Sequence, residues 1–195
     1  MKTFNKTIQK PQLIISHDKF ADSPRRDTNL GYFITVDRNY NSPDADETLQ
    51  NIVKNTGDHA TSVEDHMKLI KRDYKEVSND KIIAIYPVVK YEHSGISYSL
   101  GTKHGFDCSN NGFYIVTEDT QKEVGVLKKD FEKSIIQELN DYNKWVNGET
   151  YRYVLFDQNG EETDSCSGFY DIEDIKEHLP EKWRNEDLSD YYTNN

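Results

Sequence analysis

Apolar and polar positions along the chain form short β-like runs separated by segments with helical spacing. Residues 12–17 and 31–37 are two such runs, rich in β-branched and aromatic side chains. Residues 81–91 are apolar almost throughout, which predicts a central strand. Pro87 within this run has no amide donor for a ladder and is typical of an edge or a bulge.

Three helices are predicted from start patterns and spacing. Ser42 as N-cap, with Pro43 at the first helical position, predicts a helix that continues to residue 55. Ser62, with Asp65 three residues later, predicts a second helix that ends near residue 77. The longest helix is predicted over residues 128–147, where apolar side chains recur at steps of three and four.

The other segments favour strands, hairpins and one broken helix. Residues 96–100 and 112–117 predict two strands that, with the central one, would form an antiparallel meander. Residues 150–157 and 162–169 flank a turn and predict a hairpin. A last helix is predicted over residues 171–183, with a break near Pro180.

Strands and helices mix along the chain without regular βαβ alternation, which favours an α+β fold. We predict a largely antiparallel sheet of about six or seven strands, covered by the helix near residues 128–147, with additional N-terminal helices. The length of 195 residues predicts a single domain over residues 1–187, followed by a flexible acidic tail over residues 188–195.

The net charge of −11 is unevenly distributed. From Asp141 onward the chain has 14 acidic and 5 basic residues, a net of −9, so the first 140 residues have a net of only −2. An acidic surface repels phosphate backbones and attracts basic partners. We therefore expect a protein partner with a basic surface and no direct binding of duplex DNA.

Other function classes have weak support in the sequence. No run approaches the roughly 20 apolar residues that span a bilayer, so no membrane contact is expected. No glycine-rich phosphate loop is present, and no cofactor is expected. Cys108 and Cys166 are expected to be free thiols in a reducing cytoplasm. A single disulfide between them is the alternative.

The segment from Tyr91 to Thr117 concentrates reactive side chains and raises several alternatives. A zinc site would use His93, His104, Cys108 and Cys166, although their spacing matches no common zinc motif. A Cys–His nucleophile would pair one of these cysteines with His93, but neighbouring acids raise the pKa of a thiol. A simpler explanation is that the histidines lie in turns and the thiols are packed in the core, with no chemical function.

A nuclease is a further alternative, with His93 as general acid or base and Glu92 or Tyr98 beside it. A metal-dependent nuclease would need clustered carboxylates instead, such as Asp157, Glu162 and Asp164. A solvated hairpin face explains those three acids equally well. We therefore assign no catalytic residue or metal ligand as the leading hypothesis.

The leading candidate site is an interaction surface in the acidic C-terminal quarter. Acidic side chains steer association, and a tryptophan can anchor an interface. The candidate residues are Glu161, Glu162, Asp164, Asp171, Glu173, Asp174, Glu177 and Trp183.

Several ordered motifs resemble those of a family of small acidic proteins carried by phages and plasmids. They begin near Pro24-Arg25, Asn29-Leu30-Gly31 and Arg38-Asn39-Tyr40, and the main ones contain Tyr91, His93, Ser94, Gly95, Cys108, Gly112, Cys166, Gly168 and Phe169. The sequence departs from the family at Ser109-Asn110-Asn111, where a Trp-Asp segment is usual, and at Ser167, where a tryptophan is common.

The resemblance implies a function in mobile elements, beside genes that counter host defence. Proteins of this kind are associated with type II-A anti-CRISPR inhibitors of the RNA-guided nuclease Cas9. It therefore implies a cytoplasmic protein of the bacterial host cell that binds Cas9, with or without guide RNA, and is not an enzyme. The nuclease alternative would cleave guide RNA through His93, and a zinc-stabilised interaction domain is a third possibility.

Overall fold

The computed structural model describes residues 11–37 and 40–193. The motif residues Arg38 and Asn39 and the last two residues of the predicted tail lie outside this range. The described chain divides into two compact units: unit 1 contains residues 11–23 and 144–193, and unit 2 contains residues 24–37 and 40–143.

The described residues form eight strands and six α-helices. The strands are β1 (Gln12–His17), β2 (Tyr32–Thr35), β3 (Ile82–Glu92), β4 (Ile96–Leu100), β5 (Cys108–Thr117), β6 (Tyr151–Phe156), β7 (Glu162–Phe169) and β8 (Tyr192–Thr193). The helices are α1 (Glu47–Gly57), α2 (Val63–Val77), α3 (Glu118–Val124), α4 (Phe131–Val146), α5 (Ile175–His178) and α6 (Glu181–Arg184). The α+β class is confirmed, with eight strands in two sheets in place of six or seven in one.

Unit 2 is built on an antiparallel sheet with the strand order β2-β5-β3-β4. The predicted meander is wrong, because β5 pairs with β3 on the side opposite β4. Pro87 lies where the pairing of β4 ends, since Val88 is the first residue of β3 with a partner on β4. Its missing amide donor therefore leaves no gap in the ladder with β4.

Both faces of this sheet are covered, which explains the continuous apolar runs. On one face Ile34, Phe113 and Ile115 pack with Leu49 of α1 and Ile70 of α2. On the other face Phe33 and Tyr98 contact Tyr142 of α4 through edge-on and tilted rings, with centroids 5.5 and 5.7 Å from it. The long helix covers the sheet as predicted.

The predicted N-cap is confirmed for α2 but is wrong for α1. Ser62 caps α2 by accepting a hydrogen bond from the amide of Asp65. Asp46, not Ser42, caps α1 by accepting a hydrogen bond from the amide of Leu49. The Ser42 hydroxyl instead accepts a hydrogen bond from the amide of Thr35 in β2.

Unit 1 contains a second sheet with the order β7-β6-β1-β8, antiparallel except for the β1–β8 pair. Leu13, Ile15, Tyr153 and Leu155 are buried on one face of this sheet. The C-terminal segment closes this core: Leu188 is fully buried, and Tyr192 pairs with Ile15. Leu188, Tyr191 and Tyr192 therefore pack against this core, whereas Ser189 and Asp190 are exposed, and the flexibility predicted for this tail stays a prediction.

Candidate functional site

His93 lies at the turn between β3 and β4, where its backbone amide donates to the carbonyl of Gly95 at 3.2 Å. Its ring is largely exposed, and Nδ1 lies 3.3 Å from Oδ2 of Asp107. The carbonyl of Asp107 accepts a hydrogen bond from the amide of Glu92. Asp107 therefore connects the turn to the loop that leads into β5.

A charged cluster lies beside this turn and was not foreseen from the sequence. Lys90 is nearly buried and forms ion pairs with Asp37 and with Glu92, the latter at 3.0 Å. The Tyr40 hydroxyl donates to Glu92 at 2.5 Å, and the Tyr40 ring lies 4.5 Å from the Lys90 ammonium. A lysine within the apolar run of β3 is the sequence signal that could have revealed it.

The charges of this cluster stabilise one another. Burial alone would lower the pKa of Lys90, but the hydrogen bonds and charges of Asp37 and Glu92 raise it. Hydrogen bonds from Tyr40 and Lys90 lower the pKa of Glu92. Lys90 and Glu92 therefore both remain charged at neutral pH, and Glu92 is engaged within the cluster.

The cluster forms part of the wall of an open cleft of about 990 Å³ in unit 2. Polar side chains, including Asn51, Lys54 and Asn111, line the rest of the cleft together with Asp107 and Cys108. Phe106 stands on its rim and is fully exposed. The cleft has the size of a ligand site but is mainly polar.

The structure separates the three residues of the nuclease alternative. Tyr98 is buried among Phe33 and Tyr142, and this burial raises its pKa to about 12. Glu92 pairs with Lys90 and Tyr40. His93 therefore has Asp107 as its carboxylate partner, and Tyr98 is not available to assist it.

The proposed zinc ligands are not brought together. Within residues 11–37 and 40–193, no group of three or more His, Cys, Asp or Glu side chains is placed to hold a metal ion. Cys108 belongs to unit 2 and Cys166 to unit 1, and both are free thiols.

Gly112 and Gly168 occupy places that favour glycine. A Cβ at Gly112 would lie 3.0 Å from the Val88 carbonyl oxygen of the neighbouring strand. Gly168 has a φ of +84° and forms an extra residue in β7 relative to β6. Phe169 is buried in the core of unit 1. These motif residues support the two sheets.

A second buried ionic network was also missed, although the Pro24-Arg25 motif marks it. The Arg25 guanidinium pairs with Asp44 at 2.7 Å and with Glu138 at 2.8 Å, and its side chain is only 3% exposed. Glu138 also accepts hydrogen bonds from the Tyr114 hydroxyl and the Leu30 amide. This network connects α4 to the start of β2 and stabilises the fold.

The predicted interaction surface lies entirely in unit 1. Its acidic side chains are exposed on the β6–β7 hairpin and on the segment that contains α5: Glu161, Glu162, Asp164, Asp171, Glu173, Asp174 and Glu177. The Tyr153 hydroxyl contacts both Asp164 and the His178 carbonyl, at 3.0 and 3.4 Å. This contact places the hairpin beside α5.

Part of this negative charge is compensated within unit 1. Glu173 pairs with Lys176 at 2.7 Å, and Asp171 lies 3.9 Å from Lys144. Burial and the carboxylate of Asp164 raise the pKa of Tyr153 to about 12, so its hydroxyl remains a donor to that carboxylate. The charge available to a partner is therefore concentrated on the other acids of this surface.

Trp183 is half-buried at one side of this surface. Its ring packs edge-on against Tyr191 with a centroid distance of 5.2 Å. The Lys182 ammonium lies 5.3 Å from the centroid of the Trp183 ring. Its indole Nε1 is buried and has no hydrogen-bond partner among the described residues. The ring is therefore partly in the core of unit 1 and partly available at the surface.

None of the described helices is both long enough and apolar enough to cross a bilayer. Comparison of the chain with protein-family models, with curated proteins and with solved structures gives no match.

Proposed function

We propose that the chain is a non-enzymatic inhibitor that binds a basic protein surface through the acidic side chains of unit 1. The observation that carries this proposal is the exposure of seven acids on the β6–β7 hairpin and the α5 segment of one compact unit. Exposed charges of one sign steer association with a surface of opposite sign.

The sequence resemblance suggests the partner. We infer that it is Cas9, with or without its guide RNA, in the cytoplasm of the bacterial host. Cas9 holds its heteroduplex in a positively charged channel, which is a suitable surface for unit 1. Binding there would compete with nucleic acid for the same positive charges.

A pull-down of Cas9, with and without guide RNA, tests the proposal at low and at moderate salt. Charge-driven binding should weaken as the salt rises, because the screening length falls to about 10 Å at 0.1 M. Absence of binding in all four conditions would refute the proposal.

A charge-reversal variant tests the surface itself. Glu161, Asp174 and Glu177 are exposed, and changing all three to Lys should weaken binding about tenfold or more at low salt. The matched control changes Glu76, Glu123 and Glu132 to Lys, because these exposed acids belong to unit 2 and the net charge changes equally. Equal losses in both variants would show that net charge, not this surface, determines binding.

The contact between His93 and Asp107 favours a second candidate function, cleavage of guide RNA. Asp107 could orient the imidazole so that the exposed ring accepts a proton from a ribose hydroxyl. Guide RNA mixed with the protein and Cas9 should then be shortened on a denaturing gel, and His93→Ala should abolish this. RNA of unchanged length with the unsubstituted protein would remove this candidate.

A further inference from the structure

The strand β7 forms one edge of the sheet in unit 1. Its neighbour in the described sheet is β6 alone, and seven of its eight residues are exposed. The outer row of amide and carbonyl groups on β7 therefore faces no other strand in the part of the chain that the structure describes. Such an edge is a template for an additional strand.

The regular part of this edge is short and well defined. Thr163 and Gly168 are extra residues relative to β6, whereas Asp164, Ser165, Cys166 and Ser167 pair with consecutive residues of β6. Irregularities of this kind bend a strand and limit pairing. An added strand would therefore match the four residues 164–167.

The charge of the edge selects the kind of strand that can pair with it. Glu161, Glu162 and Asp164 are acidic, and no Lys or Arg occurs between Asp157 and Phe169. A second copy of β7 would bring acids against acids, which destabilises cross-strand pairing. A segment with Lys or Arg would bring opposite charges together instead.

A pocket of about 280 Å³ reaches this edge at Thr163. Leu155, Phe156, Pro180 and Trp183 provide much of its wall. The pocket is therefore suited to one apolar side chain. In strand addition, backbone hydrogen bonds commonly provide affinity, and a pocket of this kind binds one side chain of the added segment and provides specificity.

We propose that an extended basic segment of a protein partner adds to the edge of β7 and places one apolar side chain in the pocket beside Trp183. This inference rests on the proposed function, since it specifies how the acidic surface of unit 1 holds its partner. The backbone of the segment would pair with residues 164–167, and its Lys or Arg side chains would lie near Glu162 and Asp164.

Two octapeptides of equal charge test this proposal on the full chain. One alternates Lys and Val, and the other has the same sequence with every backbone amide N-methylated, which keeps the charge but removes all of the amide donors. The unmethylated peptide should bind about tenfold more tightly and slow exchange of the outward-facing amides among residues 164–167 by a similar factor. The indole N–H signal of Trp183 should shift on binding, whereas that of Trp145, which donates to the Ala21 carbonyl, should not.

The outcomes separate this inference from the proposed function. Equal binding of both peptides without exchange protection would overturn strand addition but leave charge-driven binding by unit 1 intact. Failure of both peptides to bind would also overturn strand addition, while the Cas9 pull-down would still decide the proposed function. Protection of residues 164–167 without a shift at Trp183 would remove the pocket from the proposal.

Discussion

Arg25 shows how one side chain can organise a large part of unit 2. All five of its N–H donors are engaged, two with Asp44, and one each with Glu138, Asn29 and the Gly31 carbonyl. Burial alone would lower the pKa of Arg25, but the hydrogen bond and charge of Asp44, with a contribution from Glu138, raise it. The guanidinium is therefore a permanent cation at the centre of this network.

Replacing Arg25 should leave Asp44 and Glu138 as nearly buried, uncompensated acids. We expect Arg25→Met to lower the free energy of unfolding by about 3–5 kcal/mol, as measured by urea denaturation. Arg25→Lys should also destabilise, because an ammonium has three donors and cannot reproduce the planar fork.

Arg72 provides the matched control, since its side chain is exposed and its ion pair with the adjacent Asp73, at 2.6 Å, lies on the surface of α2. Arg72→Met should change the free energy of unfolding by less than about 1 kcal/mol. Similar losses for the Arg25 and Arg72 variants would show that the buried network contributes little.

At the scale of elements, α1 illustrates a local competition between two caps. Asp46 accepts a hydrogen bond from the Leu49 amide at 2.7 Å and begins the helix, although the Ser-Pro pattern at Ser42 predicted an earlier start. Ser42 accepts a hydrogen bond from the Thr35 amide of β2, and Asp44, two residues later, pairs with Arg25. Tertiary contacts thus hold residues 42–44 outside the helix.

The cap at Asp46 can be tested directly. Asp46→Ala should lower the free energy of unfolding by about 1 kcal/mol, because the Leu49 amide loses its acceptor. Asp46→Asn should retain most of the stability, since Asn is also a good N-cap. Denaturant unfolding of both variants measures the difference, and equal losses would contradict the capping role.

The contrast between local signals and tertiary contacts explains which elements the sequence could predict. The bounds of β1 and the cap of α2 follow from neighbouring residues, and both predictions are confirmed. The order β5-β3-β4 depends on pairing between distant segments, so that local periodicity could not distinguish it from a meander. The same holds for the pair between Arg25 and Glu138, which are 113 residues apart.

In the candidate site, too, local features could be predicted from the sequence, whereas features formed by distant residues could not. Charge distribution along the sequence located the acids of unit 1, because a hairpin exposes most of its polar side chains. The cluster of Asp37, Lys90 and Glu92 escaped prediction, since Asp37 follows β2 whereas Lys90 and Glu92 lie on β3, and Asp37 is 53 residues from Lys90. The edge position of β7 likewise depends on the order of the whole sheet.

At the scale of the whole molecule, the chain makes unit 1 from both of its ends. β1 lies between β6 and β8 in the sheet, so that residues near each terminus share one core. Unit 2 has a separate core formed by its own sheet and by α1 and α2. The single cooperative domain predicted from the length stays a prediction, and a substitution in one core can test it.

Ile15 is the suitable position, because it is fully buried in unit 1 and lies on the strand between β6 and β8. Ile15→Ala should lower the local opening free energy of unit 1 by about 2–5 kcal/mol through the cavity that it creates. Hydrogen exchange should accelerate at Val154 and Leu155 but stay unchanged at Ile115, since each unit has its own core. Ile14→Ala, at a half-exposed position of the same strand, should have a smaller effect. Equal acceleration at Leu155 and Ile115 in the Ile15 variant would instead support one cooperative domain.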